Sequence, residues 1–88
     1  MSVLKLKGTQ AACATTTGAA STFGSATVVR LVNSTAAAHL ITLEQTDGTD
    51  IGTCTIAGGD TVFIKKSPTD KIFAANAGVL GVAVSVEG

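Results

Sequence analysis

Val79-Leu80-Gly81-Val82-Ala83-Val84-Ser85-Val86 alternates without a break, with Leu80, Val82, Val84 and Val86 on one face and Gly81, Ala83 and Ser85 on the other. A period of two in a Val-rich run is a strand signal, because apolar helix positions recur every three or four residues. Working back, Asn76-Ala77-Gly78 reads as a loop and Lys71 to Ala74 as a short strand. Ser67-Pro68-Thr69-Asp70 suits a type I turn, with Pro presetting φ at its second position. Thr61 to Lys66 sets Val62 and Ile64 against Phe63 and Lys65, after a turn at Ala57-Gly58-Gly59-Asp60. Asp50 to Ala57 and His39 to Thr46 flank Asp47-Gly48, a pair that tolerates the positive φ of tight hairpins. In the second of these strands Leu40, Thr42 and Glu44 oppose His39, Ile41 and Leu43. Three alanines and an Asn33-Ser34-Thr35 turn separate it from Ala26 to Asn33, where Val29 and Leu31 face one way and Val28, Arg30 and Val32 the other.

Nearer the N-terminus the texture changes. Gly8 to Ser25 is Thr, Ala and Gly with no helical period, interrupted by Gly8, Gly18 and Gly24. It reads as an extended arm, and loops of this length in a small domain are usually functional or disordered. Before it, Val3 to Lys7 places Leu4 and Leu6 on one face and the lysines on the other. Seven short strands and no credible helix predict an all-β fold. The expectation is an antiparallel β-sandwich of about seven strands, jelly-roll or immunoglobulin-like, with residues 26–88 as the sandwich domain and residues 1–25 as the first strand and the extended N-terminal arm.

Composition narrows the function. Ala, Thr and Gly fill 38 of 88 positions, whereas Ile, Leu, Val and Phe supply 23. A chain this short has a marginal core even with larger residues. Disulfides and structural metals, two common remedies, have no pattern here, so association with further subunits or copies is expected. Six basic residues cancel six acidic ones, which removes both the excess a duplex binder needs and the repulsion that opposes association. Cys13 and Cys54 lack neighbours at metal spacing and read as small space-filling side chains. The uncharged run Gly8 to Val29 is as long as a membrane span but is rich in Thr and Ser and poor in bulk, so neither a span nor an export signal is expected.

Candidate chemistry is thin. His39, the one histidine, lies within a predicted strand, and no nucleophile-elbow pattern accompanies it. Asp47, Asp50, Asp60 and Asp70 all fall at turns, where Asp satisfies local backbone N–H groups. Gly58-Gly59-Asp60 lacks the lysine and helix of a phosphate loop, and Lys65-Lys66 points its side chains to opposite faces. Three Phe with no Tyr or Trp is a poor supply of stacking platforms. Phe63 and Phe73 read as core. Phe23, the lone bulky residue of the arm, either closes over its own sandwich or anchors the arm in a neighbour. No catalytic residue, cofactor or metal is expected.

The stretch from Gly59-Asp60-Thr61-Val62-Phe63-Ile64-Lys65-Lys66 through Ser67-Pro68-Thr69-Asp70-Lys71-Ile72-Phe73-Ala74 resembles small all-β structural proteins of tailed bacteriophages. A turn with Gly and acid opens a strand, a Lys ends it, and a Pro–Asp turn leads into a short strand. Val79 to Val86 continues the likeness, and Arg30-Leu31-Val32-Asn33 matches an early strand. The resemblance implies a non-enzymatic virion protein that decorates or cements a capsid, or else a neck, tail or fibre component. Its partners would be the major capsid protein or other virion subunits, with homo-oligomerisation and with neither nucleic acid nor membrane. It would be made in the host cytoplasm and end on the capsid surface. Leu4, Leu6, Thr15, Thr16, Thr17 and Phe23 are the candidate partner contacts, since small-residue arms suit close backbone approach. Lys5 and Lys7 alternatively guard an edge strand. A small carbohydrate- or surface-binding β-sandwich is the alternative from another class.

Overall fold

In the computed structural model, which describes residues 3–87, the alternating stretches pair into two antiparallel sheets facing each other. The strands are β1 (Val3–Leu6), β2 (Ala11–Ala12), β3 (Val28–Asn33), β4 (His39–Glu44), β5 (Asp50–Ile56), β6 (Thr61–Lys65), β7 (Lys71–Ala74) and β8 (Val79–Glu87). The larger sheet runs β1-β8-β3-β6, with β2 also pairing β8, and the smaller runs β5-β4-β7. The Asp47-Gly48 hairpin joins β4 to β5 within one sheet, Gly48 taking φ 90°. The other links from β3 onward cross between the sheets.

Between the sheets lie Val29 and Leu31 of β3, Ile41 of β4, Ile56 of β5, Ile72 and Ala74 of β7 and Val79 of β8. The arm completes this core rather than projecting from it. Its β2 pairs with β8 through Ala11↔Gly81 and Ala12↔Leu80, and Cys13 and Ala26 enter the core. The arm then passes to the other sheet, where Ala74 N donates to Ala14 O and Ser21 bridges Ile72. One side of the sandwich is thus closed by the chain's own small residues.

Ser21 to Ala26 turns the arm back toward β3. Phe23, Gly24 and Ser25 all have positive φ (54°, 71° and 60°), a region disfavoured for side-chain-bearing residues. Local hydrogen bonds hold them there: Phe23 N donates to Ser21 Oγ at 3.0 Å and Ser25 N to Thr22 Oγ1 at 3.2 Å. The bend delivers the Phe23 ring against β8. A Cβ at Gly81 would lie 2.6 Å from that ring and 2.9 Å from Leu31 Cδ2, so only glycine fits.

That contact sets the parity of β8. Gly81 and Ala83 face the core beside Phe23, while Leu80, Val82 and Val84 lie on the opposite face of the sheet, where Val82 and Val84 are nonetheless buried. Phe63 departs from expectation. It is 52% exposed on the outer face, because its strand neighbours Val62 and Ile64 take the inward positions.

Asn33, at the end of β3, ties the two sheets together at one end of the sandwich. It is fully buried, and all its side-chain capacity is used. Nδ2 donates to Ala37 O (2.7 Å) and Ile56 O (2.9 Å), while Oδ1 accepts from Thr35 N (3.0 Å) and Thr35 Oγ1 (2.7 Å). The β5–β6 turn packs so closely here that a Cβ at Gly58 would meet the Ala36 backbone at 2.6 Å.

Two stability outcomes follow from this packing. Gly81→Ala lowers the unfolding free energy by about 1–3 kcal/mol through overpacking. In a Phe23→Ala background that penalty falls to less than half, as coupled neighbours require; denaturant titration of the four proteins reads both values. The second concerns Cys13, whose thiol is pushed by burial from 9.0 up to about 11. The folded state holds that proton to higher pH than the unfolded chain, so the stabilisation is complete below pH 9 and is lost as pH rises through 11. Melts between pH 8 and 11 should show an alkaline loss of about 2–3 kcal/mol that is absent in Cys13→Ala. Lys66, held below its usual range by burial, acts in the opposite sense in both proteins and cancels in the comparison.

Candidate interaction surface

The outward parity of β8 joins matching positions of β1, β3 and β6 into one continuous face. Val82, Arg30 and Phe63 form one row across β8, β3 and β6, and Leu80, Val32 and Thr61 form the next. On the β1 flank Leu6 lies opposite Val84, and on the β6 side Val28 lies opposite Lys65. Leu4 and Leu6 are 40% and 66% exposed. Val82 and Val84 are themselves buried, so the exposed apolar side chains of this face are Leu4, Leu6 and Phe63.

A shallow groove of about 410 Å³ runs between β1 and β3, lined by Leu4, Leu6, Gly8, Gln10, Arg30 and Val82. Its one charged side chain, Arg30, donates from Nη1 to Gln10 Oε1 at 3.4 Å, bridging the arm to β3. Clusters of exposed aliphatic side chains with a polar rim mark surfaces that bind other macromolecules. Leu4 and Leu6 were legible in the sequence. Phe63 and Arg30 were not, because neither could be placed on this face without knowing the parity and order of the strands.

The remaining candidate contacts lie elsewhere. Thr15, Thr16 and Thr17 are exposed on the part of the arm that runs beside β7. Thr17, in a single 3₁₀ turn (Thr17–Ala19), donates its hydroxyl to Glu44 Oε2 at 2.6 Å. Glu44 is almost completely buried, and its Oε1 has no partner among the described residues. Phe23 packs against the core of its own sandwich beside Gly81.

His39 is half-buried at the start of β4. Asp47 Oδ1 accepts from Thr49 N (2.9 Å) and Asp70 Oδ2 from Ser67 N (3.1 Å), the local turn roles expected of them. Hydrogen bonding to the Thr49 backbone holds the Asp47 carboxyl below its usual range. Lys66 is buried, unlike exposed Lys65, and its Nζ donates to Asp70 O (2.8 Å) and Ser67 O (3.3 Å), bracing the Pro68 turn. Both cysteines are free, Cys13 buried and Cys54 exposed. Among the described residues no three His, Cys, Asp or Glu side chains gather as a metal would need, and no helix is long and apolar enough to cross a membrane. Comparison with protein-family models, curated proteins and solved structures finds no match.

A surface reserved for a partner should contribute little to the stability of the isolated chain. Leu6→Thr and Phe63→Thr are therefore expected to change the unfolding free energy by less than about 1 kcal/mol. Leu31→Thr, in the core, should cost about 3–5 kcal/mol. Urea denaturation of the three variants provides the comparison.

Proposed function

We propose that this chain is a non-enzymatic structural subunit of a phage virion, which decorates or cements the capsid by laying the outer face of its larger sheet on a neighbouring subunit. The observation that carries the reading is the exposed layer of Leu4, Leu6 and Phe63 around a groove with a single charge, on a chain with no net charge. Such a face gains its affinity from apolar burial, with Arg30 at hand for a carboxylate or carbonyl. Repetition over a shell then multiplies a modest single-site affinity. The likeness of the Gly59 to Ala74 hairpins to phage structural proteins supports the same reading.

A neck, tail or fibre subunit would use the same surface at another place on the particle. Exposed Phe63 also keeps a carbohydrate-binding module in view, since one aromatic ring is offered to solvent.

Mass spectrometry and immunogold labelling of purified particles distinguish these. The expected result is many copies per particle, spread over the head. The combined Leu6→Thr and Phe63→Thr variant should be lost from the particles, which then burst at lower temperature. Label confined to the portal vertex or tail moves the assignment there. Presence only in cytosol, or strong specific binding on a glycan array, overturns it.

A further inference from the structure

The four lateral edges of the sandwich are not equally protected. The β7 edge is covered by Ala14 and Ser21 of the arm. The β1 edge carries Lys5 and is followed by Lys7, and β6 ends in exposed Lys65. Charged lysines of this kind discourage pairing with another strand. The β5 edge has no such guard. It is seven residues long, exposed from Asp50 to Thr55, and has neither Lys nor Pro nor any charge after Asp50. Beside it the sandwich stays open, with an apolar gap of about 210 Å³ lined by Ile41, Leu43, Cys54, Ile64 and Ile72.

We infer that β5 pairs antiparallel with β5 of a second copy of this chain, about a two-fold axis at Cys54. The register comes from the strand itself. Gly52 pairs with Leu43 while Asp50 pairs with Glu44, so Ile51 is an extra residue at a bulge. The regular ladder is therefore Gly52 to Ile56, whose midpoint is Cys54. A two-fold there sets Thr53 opposite the partner's Thr55, a favourable cross-strand pair of β-branched residues. It also sends the two Asp50 carboxylates to opposite ends, so no like charges meet. An antiparallel strand paired with itself satisfies the self-complementarity that a two-fold contact demands.

The smaller sheets then join into one six-stranded sheet, and each copy shields the other's apolar gap. The molecule is 21 Å across its smallest dimension, so a side wall one strand long amounts to roughly 500 Å² per copy and roughly 1,000 Å² in all, the floor for a specific interface. A weak dimer that forms with rising concentration is expected from so small a contact. This pairing uses the smaller sheet and does not rest on the capsid-docking proposal, which uses the other.

Light scattering of the full chain from about 1 µM to 1 mM tests it, with dimer expected at the upper end. Thr53→Lys combined with Thr55→Lys sets like charges face to face and should weaken the dimer at least tenfold. Thr53→Lys combined with Thr55→Glu sets opposite charges face to face and should restore it, in a salt-sensitive form. Circular dichroism checks that both variants fold. In the unsubstituted chain the Cys54 Cα atoms would be about 4.5–5.5 Å apart across the axis, within disulfide reach. Mild oxidation should therefore give a covalent dimer that survives Cys13→Ala and disappears in Cys54→Ala. A monomer at every concentration, a doubly lysine-substituted protein that dimerises like the parent, or no Cys54 cross-link would each overturn the pairing.

Discussion

The contact between the Phe23 ring and Gly81 governs more of this structure than its size suggests. Strand side chains alternate, so one fixed position assigns every other residue of β8 to a face. With the ring filling the space where a Gly81 side chain would stand, Ala83 follows inward and Leu80, Val82 and Val84 follow outward. The bulky stripe of β8 thereby lies on the face away from Phe23, where Val82 and Val84 are buried and Leu4, Leu6 and Phe63 of the neighbouring strands are exposed. The core gains an aromatic side chain from the arm.

A chain with so few large residues reaches a closed core by recruiting its N-terminal segment. Cys13, Ala26 and Phe23 all come from outside the regular strands of the sandwich. The left-handed bend at Phe23, Gly24 and Ser25 is the conformational cost of that recruitment, and the Ser21 and Thr22 hydroxyls help to offset it. At the other end Asn33 does by hydrogen bonding what bulk does elsewhere. Each bond contributes on the order of 1 kcal/mol net, and leaving any of its buried partners unpaired would cost more.

Strand positions were readable because they depend on local alternation, and the Asp47-Gly48 hairpin because it depends on local turn chemistry. The paired faces of Val29 and Leu31 against Val28, Arg30 and Val32 emerged as the pattern indicated. Which face of a strand turns inward is a tertiary property: alternation left it open for β8, and Phe63, which reads as core, lies outside. Phe63 is outside because Val62 and Ile64 hold the inward positions of β6, a choice set by the pairing with β3. Buried Glu44 and Lys66 were equally illegible, since each depends on distant partners: Thr17 across the arm for one, the folded turn at Ser67 to Asp70 for the other. The strand that carries Leu4 and Leu6 was readable because an edge strand needs only its own alternation to be recognised.

The apolar outer face, and with it the proposed docking surface, stands or falls with the parity of β8. Solution NMR reads that parity directly through nuclear Overhauser effects and aromatic ring-current shifts. The account predicts strong effects between the Phe23 ring and both the Gly81 α-protons and the Leu31 methyls, with the Gly81 α-protons displaced upfield and the Val82 methyls close to Leu6 and Arg30. Val82 methyls in contact with Leu31 and Ile41, with Gly81 showing no ring-current displacement, would contradict it.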